Sequence, residues 1–124
     1  MKSDIIIFGA GGHTRSLIPL IRANGYGISA IYDNSFLAGE EEKIDDVLIV
    51  GKIDAFKGDL KIVLSFGDGK IRSEFLNLFK TNILNENLIH KSAIIESSTK
   101  IENSNQIFAG VLINAQVKIG TNNI

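Results

Sequence analysis

The sequence predicts an α/β protein in two parts: a small domain built on a parallel sheet, then the first coils of a parallel β-helix. Three observations predict it. An unbroken apolar run, Ile5-Ile6-Ile7-Phe8, leads straight into Gly9-Ala10-Gly11-Gly12. A second apolar run at residues 61–66, KIVLSF, leads into Gly67-Asp68-Gly69. From residue 89 onward isoleucine recurs every six residues. A continuous apolar run fits a strand buried on both faces of a parallel sheet. A period of six is not a helical period and marks short strands that turn corners.

The elements follow in order. Residues 2–8 read as the first strand, and Gly9–Gly12 as a turn. Residues 13–24 read as a helix with Leu17, Ile18, Leu20 and Ile21 on one stripe, closed by Asn24-Gly25. Pro19 interrupts that pattern, so a kink or a later helix start is expected. Residues 28–32, ISAIY, read as a second strand ending at Asp33-Asn34. Residues 36–46 are polar and acidic and read as a loop. Val47–Val50 is a short apolar segment, and residues 53–57 suit a helical turn. Residues 70–80 carry Ile71, Phe75, Leu78 and Phe79 at helical spacing. Six hexads fill residues 89–124: IHKSAI, IESSTK, IENSNQ, IFAGVL, INAQVK and IGTNNI. Their fifth places are mostly small. Ordinary β-hairpins would show turn signals every 8–12 residues, and these are absent. The expected domains are therefore residues 1–88 and 89–124.

Composition excludes several functions. The 124 residues contain 13 Lys+Arg and 14 Asp+Glu, a net charge of −1, which gives no footprint for nucleic acid or an anionic membrane. No Cys is present, which removes disulfides, thiolate catalysis and Cys-ligated zinc. Two His, His13 and His90, are too few for a His-rich metal site, and no metal is expected. No apolar run reaches the roughly 18 residues of a membrane span, and the start lacks a signal-peptide layout. A cytoplasmic protein is the default expectation. The 21 Ile against 11 Leu fit a β-rich core.

The glycine turn is the main candidate site. IIIFGAGGHT begins like the G-x-G-x-x-G dinucleotide fingerprint, but Thr14 stands where the third Gly belongs. Glycines after a strand still let a ligand approach the backbone, and the next helix N-terminus favours phosphate. Asp33 lies 24 residues after Gly9, at the end of the second strand, and could accept bonds from ribose or sugar hydroxyls. A nucleotide-type ligand at Gly9–His13, Asp33 and Gly67-Asp68 is one account; tight strand-to-helix turns are the other. His13 suits either a donor to phosphate or a capping side chain. His90, in the second place of its hexad, is read as a surface or packing residue.

GAGGH after the first strand, together with NLIHKSAIIESS opening the hexads, resembles the NeuD/PglD-like sugar O-/N-acetyltransferases of sialic acid and polysaccharide biosynthesis. The resemblance implies a Rossmann-like domain that binds a UDP-sugar or related nucleotide sugar. A left-handed β-helix would follow, assembling as a homotrimer and holding acetyl-CoA between subunits. Carried over residue by residue, it assigns substrate binding to the Gly11-Gly12-His13 turn that Gly9 opens, and to Asp33 and Asn34, where the second acid of a usual pair is missing. It also assigns Gly67, Asp68 and Arg72. The family's catalytic His lies in a later coil, in a His-Asp/Glu-Cys stretch with no counterpart here. Two coils of three hexads each end at Ile124. The expectation is an acceptor-binding portion without catalytic residue, coenzyme A site or cofactor of its own. Two other classes stay open: an NAD(P)-binding oxidoreductase fragment, and a non-catalytic assembly module.

Overall fold

The computed structural model describes residues 2–124. It divides into two compact units, one ending at Leu84 and the other spanning Asn85–Ile124. The division falls four residues before the hexad boundary at 88/89. Asn85 and Asn87 already belong to the coils: Asn85 accepts the Ser104 N–H (2.9 Å) and Asn87 Oδ1 the Asn105 N–H (2.9 Å).

The first unit runs β1 (Ile5–Phe8), α1 (His13–Ala23), β2 (Ile28–Tyr32), β3 (Glu42–Ile44), β4 (Val47–Gly51), a 3-10 turn (Ile53–Ala55), β5 (Lys61–Leu64) and α2 (Gly69–Leu78). The sheet order is β3-β4-β2-β1-β5. All pairings are parallel except β3 with β4. The chain leaves β1 toward β2 and β4 and returns to β1's other side at β5. That reversal beside β1 is where open α/β sheets form their ligand crevice, beyond the carboxyl ends of the strands.

The apolar run of β1 is buried at every residue, between 0% and 4% exposed, as a central parallel strand requires. Ile6 and Phe8 point into a cluster with Ala30, Ile53, Ile62, Leu64 and Ile83. Phe8 meets Tyr32, Phe56, Phe75 and Phe79 edge-on, at centroid distances of 6.2, 5.5, 6.3 and 4.9 Å. Alternation sends Ile5 and Ile7 to the opposite face, where they are also buried. The stripe read on α1 is buried as expected, at Leu17, Ile18, Leu20 and Ile21.

Three local expectations are corrected. α1 starts at His13 and carries Pro19 within it, so the start is not delayed. Pro19 is exposed. The acidic stretch is not all loop: Glu42–Ile44 pairs antiparallel with β4 across Asp45-Asp46. Asp45 takes φ +54°, a left-handed conformation that Asp tolerates. The stripe on α2 is only half used: Phe75 and Phe79 pack on the core, while Ile71 is 39% and Leu78 74% exposed.

The second unit holds six two-residue strands: β6 (Leu88–Ile89), β7 (Ile94–Ile95), β8 (Lys100–Ile101), β9 (Gln106–Ile107), β10 (Leu112–Ile113) and β11 (Lys118–Ile119). They pair in parallel as β6–β9, β7–β10 and β8–β11. Every pairing joins residues 18 apart, such as Ile89 with Ile107, so one coil is three hexads. The hexad isoleucines turn inward; Ile107 and Ile113 are buried and the others half-buried. The fourth hexad place forms the corner. Ser104, Gly110, Gln116 and Asn122 take φ of 61°, 76°, 65° and 64° there. Side chains stitch the coils at the same interval. Gly110 N–H donates to Ser92 Oγ and Gln116 N–H to Ser98 Oγ, both 2.9 Å. Asn87, Asn105 and Asn123 form an amide ladder. Asn105 Nδ2 donates to Asn87 Oδ1 (3.1 Å), and Asn123 Nδ2 to Asn105 Oδ1 (3.1 Å).

Candidate functional site

The glycine turn closes β1 and opens α1. Gly9 is buried at φ +111°, and its N–H donates to Tyr32 O (2.8 Å). A Cβ there would lie 3.0 Å from Ser65 O and 3.2 Å from the Phe66 ring, so the fold itself demands glycine. Gly11 and Gly12 are different. Both are exposed, neither has a left-handed φ, and nothing lies within 4 Å of a Cβ built on either. Nothing in the fold requires glycine at these two places, so their missing side chains leave open backbone. Gly12 caps α1 and offers no side chain to its first-turn N–H groups, which leaves a partial positive charge facing the turn.

A cleft of about 330 Å³ borders this backbone. Ala10, Gly11, Gly12, Arg15 and Ser35 line it from the turn side, and Glu42, Lys43, Ile44 and Ile49 from the β3–β4 hairpin. The sequence reading missed Arg15, Ser35, Glu42 and Lys43 as site residues. The signal for the hairpin wall was the two-residue Asp45-Asp46 loop ahead of the apolar segment Val47–Val50. Arg22 fastens that loop to α1 through bonds of 2.9 and 3.1 Å to the Asp46 carboxylate. The Arg22 hydrogen bond holds the Asp46 carboxyl below its ordinary range.

Asp33, at the end of β2, turns its carboxylate toward the glycine turn. Its Oδ1 accepts the Ala10 N–H (2.9 Å), and its Oδ2 accepts the Ser35 N–H (3.0 Å) and the Ser35 hydroxyl. Asn34 points elsewhere: its Oδ1 accepts the Ile53 N–H (3.0 Å). It lines a separate cleft of about 360 Å³ with Lys52, Phe75, Leu78 and Phe79. Beyond β5, Asp68 caps α2 by accepting the Lys70 and Ile71 N–H groups at 2.8 and 3.1 Å. Arg72 reaches back to Phe66 O (2.9 Å) and Gly67 O (3.0 Å). Asp68 and Arg72 therefore hold the turn after β5 in shape. Gly67 itself is exposed, with open space around it. His13 is the first residue of α1 and half-buried.

In the second unit, His90 Nδ1 accepts the Ser92 N–H (3.0 Å) and lies 2.8 Å from Ser92 Oγ. It is half-buried and packs against Ser92, the fourth-place residue of its own hexad. Among the described residues no group of three or more His, Cys, Asp or Glu could hold a metal. No helix among them is long and apolar enough to cross a membrane.

The first unit, a Rossmann-like parallel sheet with an open glycine turn after its central strand, is a domain of the PglD N-terminal type. The model of the PglD N-terminal domain matches residues 4–79, and the chain belongs to that family. Among solved structures, a variant of perosamine N-acetyltransferase from Caulobacter crescentus, in complex with CoA and GDP-perosamine, is 28% identical with a TM-score of 0.81. The match covers 96% of this chain and 58% of that one. PerB from the same organism, with the same two ligands, matches at 28% identity and TM-score 0.77, over 95% of this chain and 57% of that one. The acetyltransferase domain of PglB from Neisseria gonorrhoeae, in complex with acetyl coenzyme A, shares the fold at 18% identity and TM-score 0.64. That match covers 96% of this chain and 65% of that one. The chain thus spans less than two thirds of each of these proteins. Comparison with curated protein sequences gave no match.

Proposed function

We propose that the first unit binds the nucleotide-sugar acceptor of an acetyl-CoA-dependent sugar acetyltransferase. The observation that carries this is the open backbone at Gly11 and Gly12, beside a cleft that also holds Arg15 and Lys43. Glycines that packing does not need, at the switch point of a parallel sheet, are suited to close approach by a phosphate. The related enzyme crystallised with GDP-perosamine and CoA supports a nucleoside-diphosphate sugar over a dinucleotide. His13, Asp33 and Gly67 edge the same carboxyl ends of the strands and complete the proposed acceptor site. Asn34, Asp68 and Arg72 act on the surrounding backbone and shape it.

Acetyl-CoA would supply the activated acetyl group. This unit's part is orientation: it holds the sugar so that its amine or hydroxyl meets the thioester in a productive geometry. His90 Nδ1 is engaged by Ser92, so we assign no general base among these residues. We also propose a homotrimer. Ile94 and its register partner Leu112 lie side by side on one outer face of the coils, each 60% exposed. Contiguous exposed apolar side chains favour association.

Calorimetric titration with UDP-N-acetylglucosamine, GDP-mannose and NAD tests the acceptor assignment. A nucleotide sugar should saturate the chain and NAD should not. Saturation by NAD alone would favour the oxidoreductase reading instead. Sedimentation of the Ile94→Glu variant tests assembly, because a trimer should dissociate.

A further inference from the structure

We propose that Thr14, backed by Ser65, is a positioning residue that fixes the Gly9–Ala10 peptide and so presets the ligand-facing turn. Thr14 stands where the dinucleotide fingerprint has its third glycine, yet its side chain is wholly buried (0% exposed) and used. Its hydroxyl donates to Gly9 O at 2.9 Å. With that hydrogen engaged, the 2.7 Å contact to the buried Ser65 Oγ must be a bond that Ser65 donates. Three segments meet here: the end of β1, the first turn of α1 and the residue after β5.

The amide end of the same peptide is held as well. The Ala10 N–H donates to Asp33 Oδ1 at 2.9 Å. One peptide plane is thus gripped by Thr14 at its carbonyl and by Asp33 at its N–H. It cannot rotate without breaking a bond at each end, one of them fully buried. Gly11 O in turn accepts the Thr14 N–H at 3.1 Å, so the same residue holds the next carbonyl of the turn. The course of the Gly11–Gly12 backbone is therefore set by Thr14 and the Gly9–Ala10 peptide. Holding it before the ligand arrives lowers the ordering cost of binding. The site loses nothing by the missing third glycine, because a hydroxyl does the positioning that close packing would otherwise do.

The inference rests on the acceptor site proposed above, and its test separates the two. Amide hydrogen exchange of residues 10–12 is measured without ligand, and affinity is measured for whichever of UDP-N-acetylglucosamine or GDP-mannose saturates the native chain. Thr14→Val keeps the shape and removes the hydroxyl. It should weaken binding and speed exchange at Ala10 and Gly11 by about tenfold, the upper range for one neutral hydrogen bond. Thr14→Ser should restore both. Ser65→Ala leaves the bond to Gly9 intact and should change each by about threefold or less, but measurably. A lower melting temperature with unchanged affinity and exchange in Thr14→Val would make the pair merely structural and overturn the proposal. Should Thr14→Val not fold, native exchange in Ser65→Ala overturns it equally. If the native chain binds neither sugar, the acceptor reading fails and the exchange data alone judge Thr14.

Discussion

The two units bury their isoleucines to very different degrees. Ile5, Ile6 and Ile7 of β1 are 0–4% exposed, whereas four of the six hexad isoleucines remain only half-buried. The difference lies in architecture. A central strand is enclosed by two neighbours and two covered faces. A coil is covered only by the coil stacked on it, and two coils make a single stacking interface. The sheet unit therefore concentrates its stability in a few enclosed side chains. The coil unit spreads its stability over repeated bonds, of which the Asn87–Asn105–Asn123 ladder is the most buried.

The largest effect should come from the enclosed aromatic of the sheet unit. Phe8→Ala removes the ring that four other aromatics contact, and denaturant titration should show a loss of about 3–5 kcal/mol. Next comes the ladder. Asn105→Ala removes the bonds to Gly120 O and to both Asn123 donors, and the coil unit should lose about 2–3 kcal/mol, at about 1 kcal/mol for each hydrogen bond lost. A smaller loss would mean that isoleucine burial, and not the ladder, holds the coils. Gly9→Ala should cost about 2 kcal/mol through its left-handed φ and the Ser65 O contact, with acceptor binding lost alongside. One substitution made in both units compares them directly. Ile7→Val should cost about 1 kcal/mol, and Ile101→Val clearly less, by thermal or chemical denaturation. Equal losses would erase the distinction.

The smallest effect is electrostatic. The Arg22 bond lowers the Asp46 carboxyl below its ordinary 3.8. A depressed folded value contributes stability above the unfolded value and loses it as pH falls through the folded one. The pair is exposed, so the change should be slight and confined to strongly acid solution. An NMR titration should show Asp46 returning to its ordinary range in Arg22→Ala.

Much of the architecture was legible because it repeats or runs on. The hexads announced themselves through one residue type at one interval, and the coil length of 18 follows by multiplication. The strand–glycine–helix order placed the turn and Asp33. The hairpin wall escaped notice because β3 is three residues long and two of them are charged. Thr14 and Ser65 could not be joined from sequence, since 51 residues separate them and only the parallel β1–β5 pairing brings them together. The turn after β5 and the helix carrying Arg72 were legible as strand–glycine–helix order, but the Asp68 cap and the Arg72 bonds to carbonyls depend on backbone geometry that the sequence pattern does not carry.

The fixed interval of the ladder also bears on how this chain can change in length. The exposed stretch at residues 37–41 could gain or lose a residue with little consequence, because no sheet register depends on it. A single insertion within a strand between Asn105 and Asn123 would turn the later hexad isoleucines outward and break the 18-residue bonds that cross it. In the coils, length can vary only in whole turns, unless an added segment is extruded at a corner. The two halves thus obey different rules of growth: the sheet unit by small steps in its loops, the coils by quanta.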